Sequence, residues 1–141
     1  YDSEDDDKPS KADPSAVNLQ VEAARLLQRW GGIDSAKLTD AIAGIRSREA
    51  GGVWGWGKIA NATMPHVQFR GIFYEARYEI AVCQFALAMT LSGAERVQQL
   101  AAAEKTLAVT IKLYPGLGGD TWTEKYKQLI QNIQRAGNSS Q

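Results

Sequence analysis

A chain of 141 residues, 44% hydrophobic and 23% charged, has the size and composition of one globular domain, and it can bury enough apolar surface to fold without a disulfide or a metal. A single cysteine, Cys83, excludes an internal disulfide, and a single histidine, His66, leaves no Cys/His set for a structural zinc. Its sixteen basic and sixteen acidic residues cancel, with a net of −4 over residues 1–13 (six acids, two lysines) and +4 over the rest, too mild and scattered for a nucleic-acid partner.

Residues 1–13 carry only Tyr1 and Ala12 as apolar side chains, so this acidic stretch is expected to be disordered in isolation. Held by a neighbouring subunit it would be an extended bridge of roughly 40 Å. Tyr1 would then be an aromatic anchor, and Asp5, Asp6 and Asp7 would meet Lys or Arg across the contact. Passing a tail from copy to copy is a head-to-tail contact, and the expectation is a filament-forming homo-assembly. The chain begins at Tyr1 with no signal-peptide pattern and reads as a processed mature product or a fragment. A mature product would suit an extracellular or cell-surface location.

Helical patterning begins at Asp13, an N-cap with Pro14 at the first helical position. Val17, Val21, Ala24, Leu27 and Trp30 recur at spacings of three and four until Gly31-Gly32, a stripe broad enough to reach beyond one neighbouring helix. Asp34 caps a second helix with Leu38, Ala41, Ile42 and Ile45 on its apolar face, closed by Gly51-Gly52. A short third helix covers "VWGWGKIANA". Its inserted glycines disfavour helix by about 1 kcal/mol each and so imply close backbone packing.

Pro65 opens a fourth helix that runs to about Leu91, with Val67, Ile72, Tyr74, Tyr78, Ala81, Phe85 and Ala88 on its contact faces. Apolar on several sides, it belongs in the middle of a bundle. Its best apolar run, "IAVCQFALAMTL", is too short for a membrane span, and Cys83 within it reads as a buried, inert thiol. Ser92 and Glu95 have capping-box spacing for a fifth helix carrying Val97, Leu100, Ala101, Leu107, Ile111 and Tyr114, which must end before Pro115. Thr121 and Glu124 repeat the box, and Trp122, Tyr126, Leu129, Ile130 and Ile133 line a last helix closed by Gly137. No stretch reads as a strand. The expected fold class is all-α: about six helices in antiparallel hairpins over residues 14–137, then a polar tail over 138–141.

Between the last two helices stands "KLYPGLGGD". Gly116, Gly118 and Gly119 lack the spacing of a dinucleotide fingerprint and follow a helix rather than a strand, and no Gly-Lys-Ser/Thr completes a Walker loop. Asp120 and Glu124 would also repel an anion at the new helix start. The segment reads as a corner in which glycines supply positive φ.

Helix pairs with a proline closing the second member resemble tetratricopeptide repeats. "YEIAVCQFALA" resembles the first helix of such a unit, with Tyr78, Ile80, Ala81 and Phe85 near signature positions. "AAAEKTLAVTIKLYP" resembles the second, with Ala103 at the small-residue site and Pro115 at the closing proline, although the intervening loop is longer than the repeat allows. "WGWGKIA", "FYEARYEIA" and "LYPGLGG" together resemble the terminal region of divergent planctomycete-type bacterial repeat proteins. The resemblance spans about residues 53 to 135 and implies a stacked helical scaffold rather than a particular activity.

Glu75 and Glu79 stand four apart on the fourth helix, with Arg77 between them and His66 and Arg70 just before. They could in principle hold a metal or exchange protons, but Glu-x-x-His is missing and pairing with neighbouring helices is the expected role. No nucleophile elbow occurs, and no cofactor is implied. Aromatics cluster from Trp54 to Phe85; Trp56, Phe73 and Tyr78 are expected in the core, while Trp54 and Trp122, each beside a turn, are expected contact surface. Of two sequons, the one at Asn61 falls in a helix and the one at Asn138 lies in the polar tail, sterically open to glycosylation if the protein is exported. The expected function is a non-enzymatic scaffold contacting itself or another protein. The alternative is a monomeric peptide- or ligand-recognition domain whose groove is lined by Trp54, Tyr74 and Arg70 or Arg77.

Overall fold

The computed structural model describes residues 14–31, 34–45 and 52–139. The acidic tail, with Tyr1, Asp5, Asp6, Asp7 and the Asp13 cap, lies outside the described residues. Among these, six α-helices follow in order: α1 Pro14–Trp30, α2 Ala36–Ala43, α3 Gly55–Thr63, α4 Arg70–Ala88, α5 Gly93–Leu113 and α6 Asp120–Ser139, with a 3₁₀ turn at Val67–Phe69. No helix among the described residues is long and apolar enough to cross a membrane. The fold is all-α, as the periodicity predicts.

Each helix packs on the next in sequence, and α4 also packs on α2 and α6. One continuous core results, from Val17, Val21, Ala24 and Leu27 of α1, through Trp56, Ile59, Phe73, Ile80 and Leu107, to Tyr126 and Ile133 of α6. The fully buried Trp56 ring donates its Nε1–H to Gln28 Oε1 at 2.8 Å, and the Trp54 backbone N–H donates to Gln20 Oε1 at 2.8 Å, so two glutamines of α1 position α3. At the far end, the buried Tyr126 hydroxyl donates to the Tyr74 carbonyl at 2.7 Å and ties α6 to α4.

Several boundaries differ from the sequence pattern, each for a local reason. α2 stops at Gly44 (φ +84°) rather than at Gly51-Gly52, and Ile45, half-exposed, forms an antiparallel bridge with Val53. Gly44 and Gly55 approach so closely that a Cβ on Gly55 would lie 2.4 Å from the Gly44 nitrogen. The glycine-dense start of α3 thus lets the end of one helix rest directly on the start of another. Pro65 sits in a turn, His66 is extended, and α4 begins only at Arg70, which leaves Val67 79% exposed. α4 ends at Ala88, short of Leu91. Ser92 occupies the cap position of α5 but makes no side-chain capping bond, and Val97 is exposed. α6 continues through Gly137 to Ser139.

The corner is built as its glycines suggest, with one addition. Gly116, Leu117, Gly118 and Gly119 all have positive φ (86°, 48°, 75° and 137°). Leu117, strained in this region by about 1–2 kcal/mol, turns its side chain fully into the core, which returns a comparable amount. Instead of Thr121, it is Thr123 that secures the turn, its Oγ1 lying 2.8 Å from both the Gly116 and Gly119 carbonyls.

Candidate functional site

The charged cluster of α4 separates onto two faces, because residues 75 and 79 share one side of a helix and residues 70, 73, 77 and 80 share another. On the first face, Glu75 accepts from Arg25 of α1 through Nε at 2.9 Å and Nη2 at 2.7 Å. Glu79 lies one turn on, half-buried; burial pushes its carboxyl above the ordinary value, opposed by a Gln28 hydrogen bond and by the positive charges of Arg25 and Lys125. Glu75 is therefore committed to an ion pair, and Glu79 to an interhelical polar layer. His66, which the sequence groups with them, packs edge-on against Phe69 instead. Among the described residues no three His, Cys, Asp or Glu side chains converge as metal ligands would.

The second face opens on a cleft. α3 and α5 both pack on α4, and between them remains a space of about 300 Å³. Phe73, Arg77 and Ile80 of α4 form its floor, Ala60, Asn61 and Met64 of α3 one wall, and Val109, Thr110 and Leu113 of α5 the other. Leu113 is 65% exposed, and Met64 and Val109 also reach solvent, so the rim is apolar. Phe73 meets Tyr114 edge-on at 5.1 Å, and Arg70 lies over the Tyr114 ring at 4.8 Å, which places the second arginine one turn beyond the floor.

Arg77 is the one charge on that floor. Its Nε donates to Thr110 Oγ1 at 2.9 Å and its Nη2 to the Thr106 carbonyl at 3.2 Å. Burial pushes its pKa down. Among the described residues no carboxylate pairs with it. A half-buried guanidinium held by neutral oxygens retains an unmatched positive charge and spare N–H donors, so a carboxylate entering from solvent would gain a charge-assisted, bidentate contact. A second cleft of about 350 Å³, between α5 and α6, is lined by Val97, Leu100, Glu104, Ile133 and Gln134 and offers no basic group.

The remaining candidates fall elsewhere. Trp54 and Trp122, expected as contact surface, are both half-buried: Lys58 lies over the first ring, and the second packs against Tyr78 and Tyr126. Tyr74 is buried in the core rather than lining a groove with Trp54. Phe73 and Trp56 are buried as expected, and Tyr78 is half-buried. Asn138 is exposed, on the last turn of α6 rather than in a separate tail. Arg77 and Arg70 can be found from sequence as cations on a greasy helix; the cleft rim cannot, because Met64, Val109 and Leu113 read there as ordinary apolar positions.

No protein-family model, curated protein or solved structure matches the chain.

Proposed function

We propose that the chain is a non-catalytic protein-recognition module that takes a segment of a partner in the cleft between α3 and α5. The segment carries an apolar side chain beside a carboxylate. The observation that carries this reading is Arg77: a half-buried cation without an acidic partner among the described residues, on the floor of an otherwise apolar cleft. Leu113, Val109 and Met64 would cover the apolar side chain, and Arg77 would accept the carboxylate. The sequence resemblance to tetratricopeptide repeats, whose concave faces hold peptides, suggests the same kind of role.

The test is titration of the isotope-labelled protein with three short probes: acetyl-Leu-Phe as the free acid, acetyl-Leu-Phe amide, and acetyl-Phe-Glu amide. Binding through a chain-end carboxylate predicts shifts at Arg77 Nε–H, Ala60, Val109 and Leu113 with the first probe alone. Binding through an acidic side chain predicts them with the third. Equal response to the amide, or no response at millimolar probe, would sink the proposal.

A further inference from the structure

Helix α1 carries a second apolar stripe that the described structure leaves largely open, with Lys37 of α2 over the Trp30 ring at 5.2 Å. Leu19, Ala23, Leu26 and Trp30 follow at spacings of four, three and four, which aligns them along one side of the helix. That side is roughly opposite the core face of Val17, Val21 and Ala24. Leu19 is 69% exposed, Leu26 55% and Trp30 52%. Scattered exposed leucines need no explanation, but three large side chains in a row on an end helix form a patch. The undescribed stretches offer only Tyr1, Ala12, Ile33 and Ala50 besides a proline, and so supply no apolar run to lay over it.

The edges of the stripe identify the occupant. On one edge stand Glu22 and Arg29, seven residues apart and therefore in line; on the other edge the helix turns directly into its core residues. A parallel helix would set the charged edge of one copy against the uncharged edge of the other. An antiparallel copy sets charged edge against charged edge, so Glu22 of each faces Arg29 of the other, twice over. Both side chains are exposed, and Glu22, one carboxylate oxygen of which accepts from Arg25 Nη1 on the same helix, has its second oxygen for a partner.

We infer that α1 is a self-association surface, on which two copies of this chain pack antiparallel through Leu19, Ala23, Leu26 and Trp30, flanked by two symmetric Glu22–Arg29 ion pairs. One helix per copy makes a small interface, of the order of 1,200 Å² or less in total, which corresponds to a dimer in the micromolar range. The proposal is independent of the cleft, which lies between α3 and α5.

Sedimentation equilibrium from 1 to 200 µM tests it, with circular dichroism confirming that each variant is folded. The wild type should dimerise within that range, and Leu26→Glu should be monomeric throughout. Glu22→Arg and Arg29→Glu should each weaken association by about tenfold, since each removes two exposed pairs and adds like-charge contacts. The double exchange Glu22→Arg/Arg29→Glu should return affinity to within about threefold of wild type. A wild type monomeric at 200 µM, a Leu26→Glu variant that dimerises like wild type, or a double exchange no better than either single change would overturn it.

Discussion

Arg25 holds Glu75 in a two-pronged grip, Nε to one carboxylate oxygen at 2.9 Å and Nη2 to both at 2.9 and 2.7 Å, across fifty residues of chain. Planar guanidinium meets planar carboxylate, the geometry lysine cannot reproduce. The pair is partly solvated, with Arg25 43% and Glu75 20% exposed, which limits its worth. Arg25→Ala and Glu75→Ala should each destabilise by about 1 kcal/mol, and the double variant by clearly less than the sum. Denaturant titration of the three variants measures this; full additivity would show that the two residues do not cooperate. Arg25→Lys should recover less than half of the loss.

Glu79 gives the fold an acid-favouring component. Burial holds its carboxyl above the ordinary 4.5, so the folded protein keeps this proton where the unfolded chain has lost it. Stability attributable to Glu79 therefore falls as pH rises from about 4.5 through the folded-state value, and the full cost of the buried charge stands above that window. Glu79→Gln should melt higher than wild type at pH 7, with the gap closing toward pH 4. A variant that melts lower at pH 7 would show that Gln28, Arg25 and Lys125 more than offset the burial.

The two carboxylates of α4 show what a sequence can and cannot disclose. Their i, i+4 spacing is plain in the primary structure, but whether each is paired depends on Arg25 and Gln28, some fifty residues earlier in the chain. The same holds for the end of α2. Leu38, Ala41, Ile42 and Ile45 continue a helical pattern past Gly44, and nothing local in the sequence shows that the backbone of Val53 and Trp54 presses on Gly44 and leaves no room for a side chain there. The corner at Gly116–Gly119 was legible because its glycines and the adjacent Pro115 act locally. The α3–α5 cleft was not, because an apolar residue on a helix has the same appearance whether it faces a core or a gap.

The thiol of Cys83 should be inert. It is fully buried, and burial pushes its pKa to about 12, with the Glu79 charge adding to the effect. At pH 8 its thiolate population is on the order of a thousandth of that of an ordinary thiol. Labelling of the native protein by iodoacetamide should be at least about a hundredfold slower than after denaturation. Comparable rates would mean that α4 opens locally.

Leu117 is held in a conformation leucine resists, and its buried side chain is what offsets the strain. Leu117→Ala should cost about 2–3 kcal/mol, the burial being lost while the positive φ remains. Leu117→Gly relieves the backbone and should be no worse than the alanine variant, the reverse of the usual order in a core. Thermal melts of the two decide the matter; a glycine variant clearly less stable than alanine would argue that the turn is unstrained.

Tyr74 and Glu75 are adjacent, and each receives a bond from an opposite end of the chain: Tyr126 of α6 on the carbonyl of one, Arg25 of α1 on the carboxylate of the other. Stacked helical pairs ordinarily exchange their outer members with solvent independently, since each pair touches only its neighbours. Here the first and last helices are moored at a single point on the central one. Opening either end should disturb the other's mooring, so amide hydrogen exchange in α1 and α6 should follow one shared free energy close to that of α4, in place of a gradient falling toward the termini.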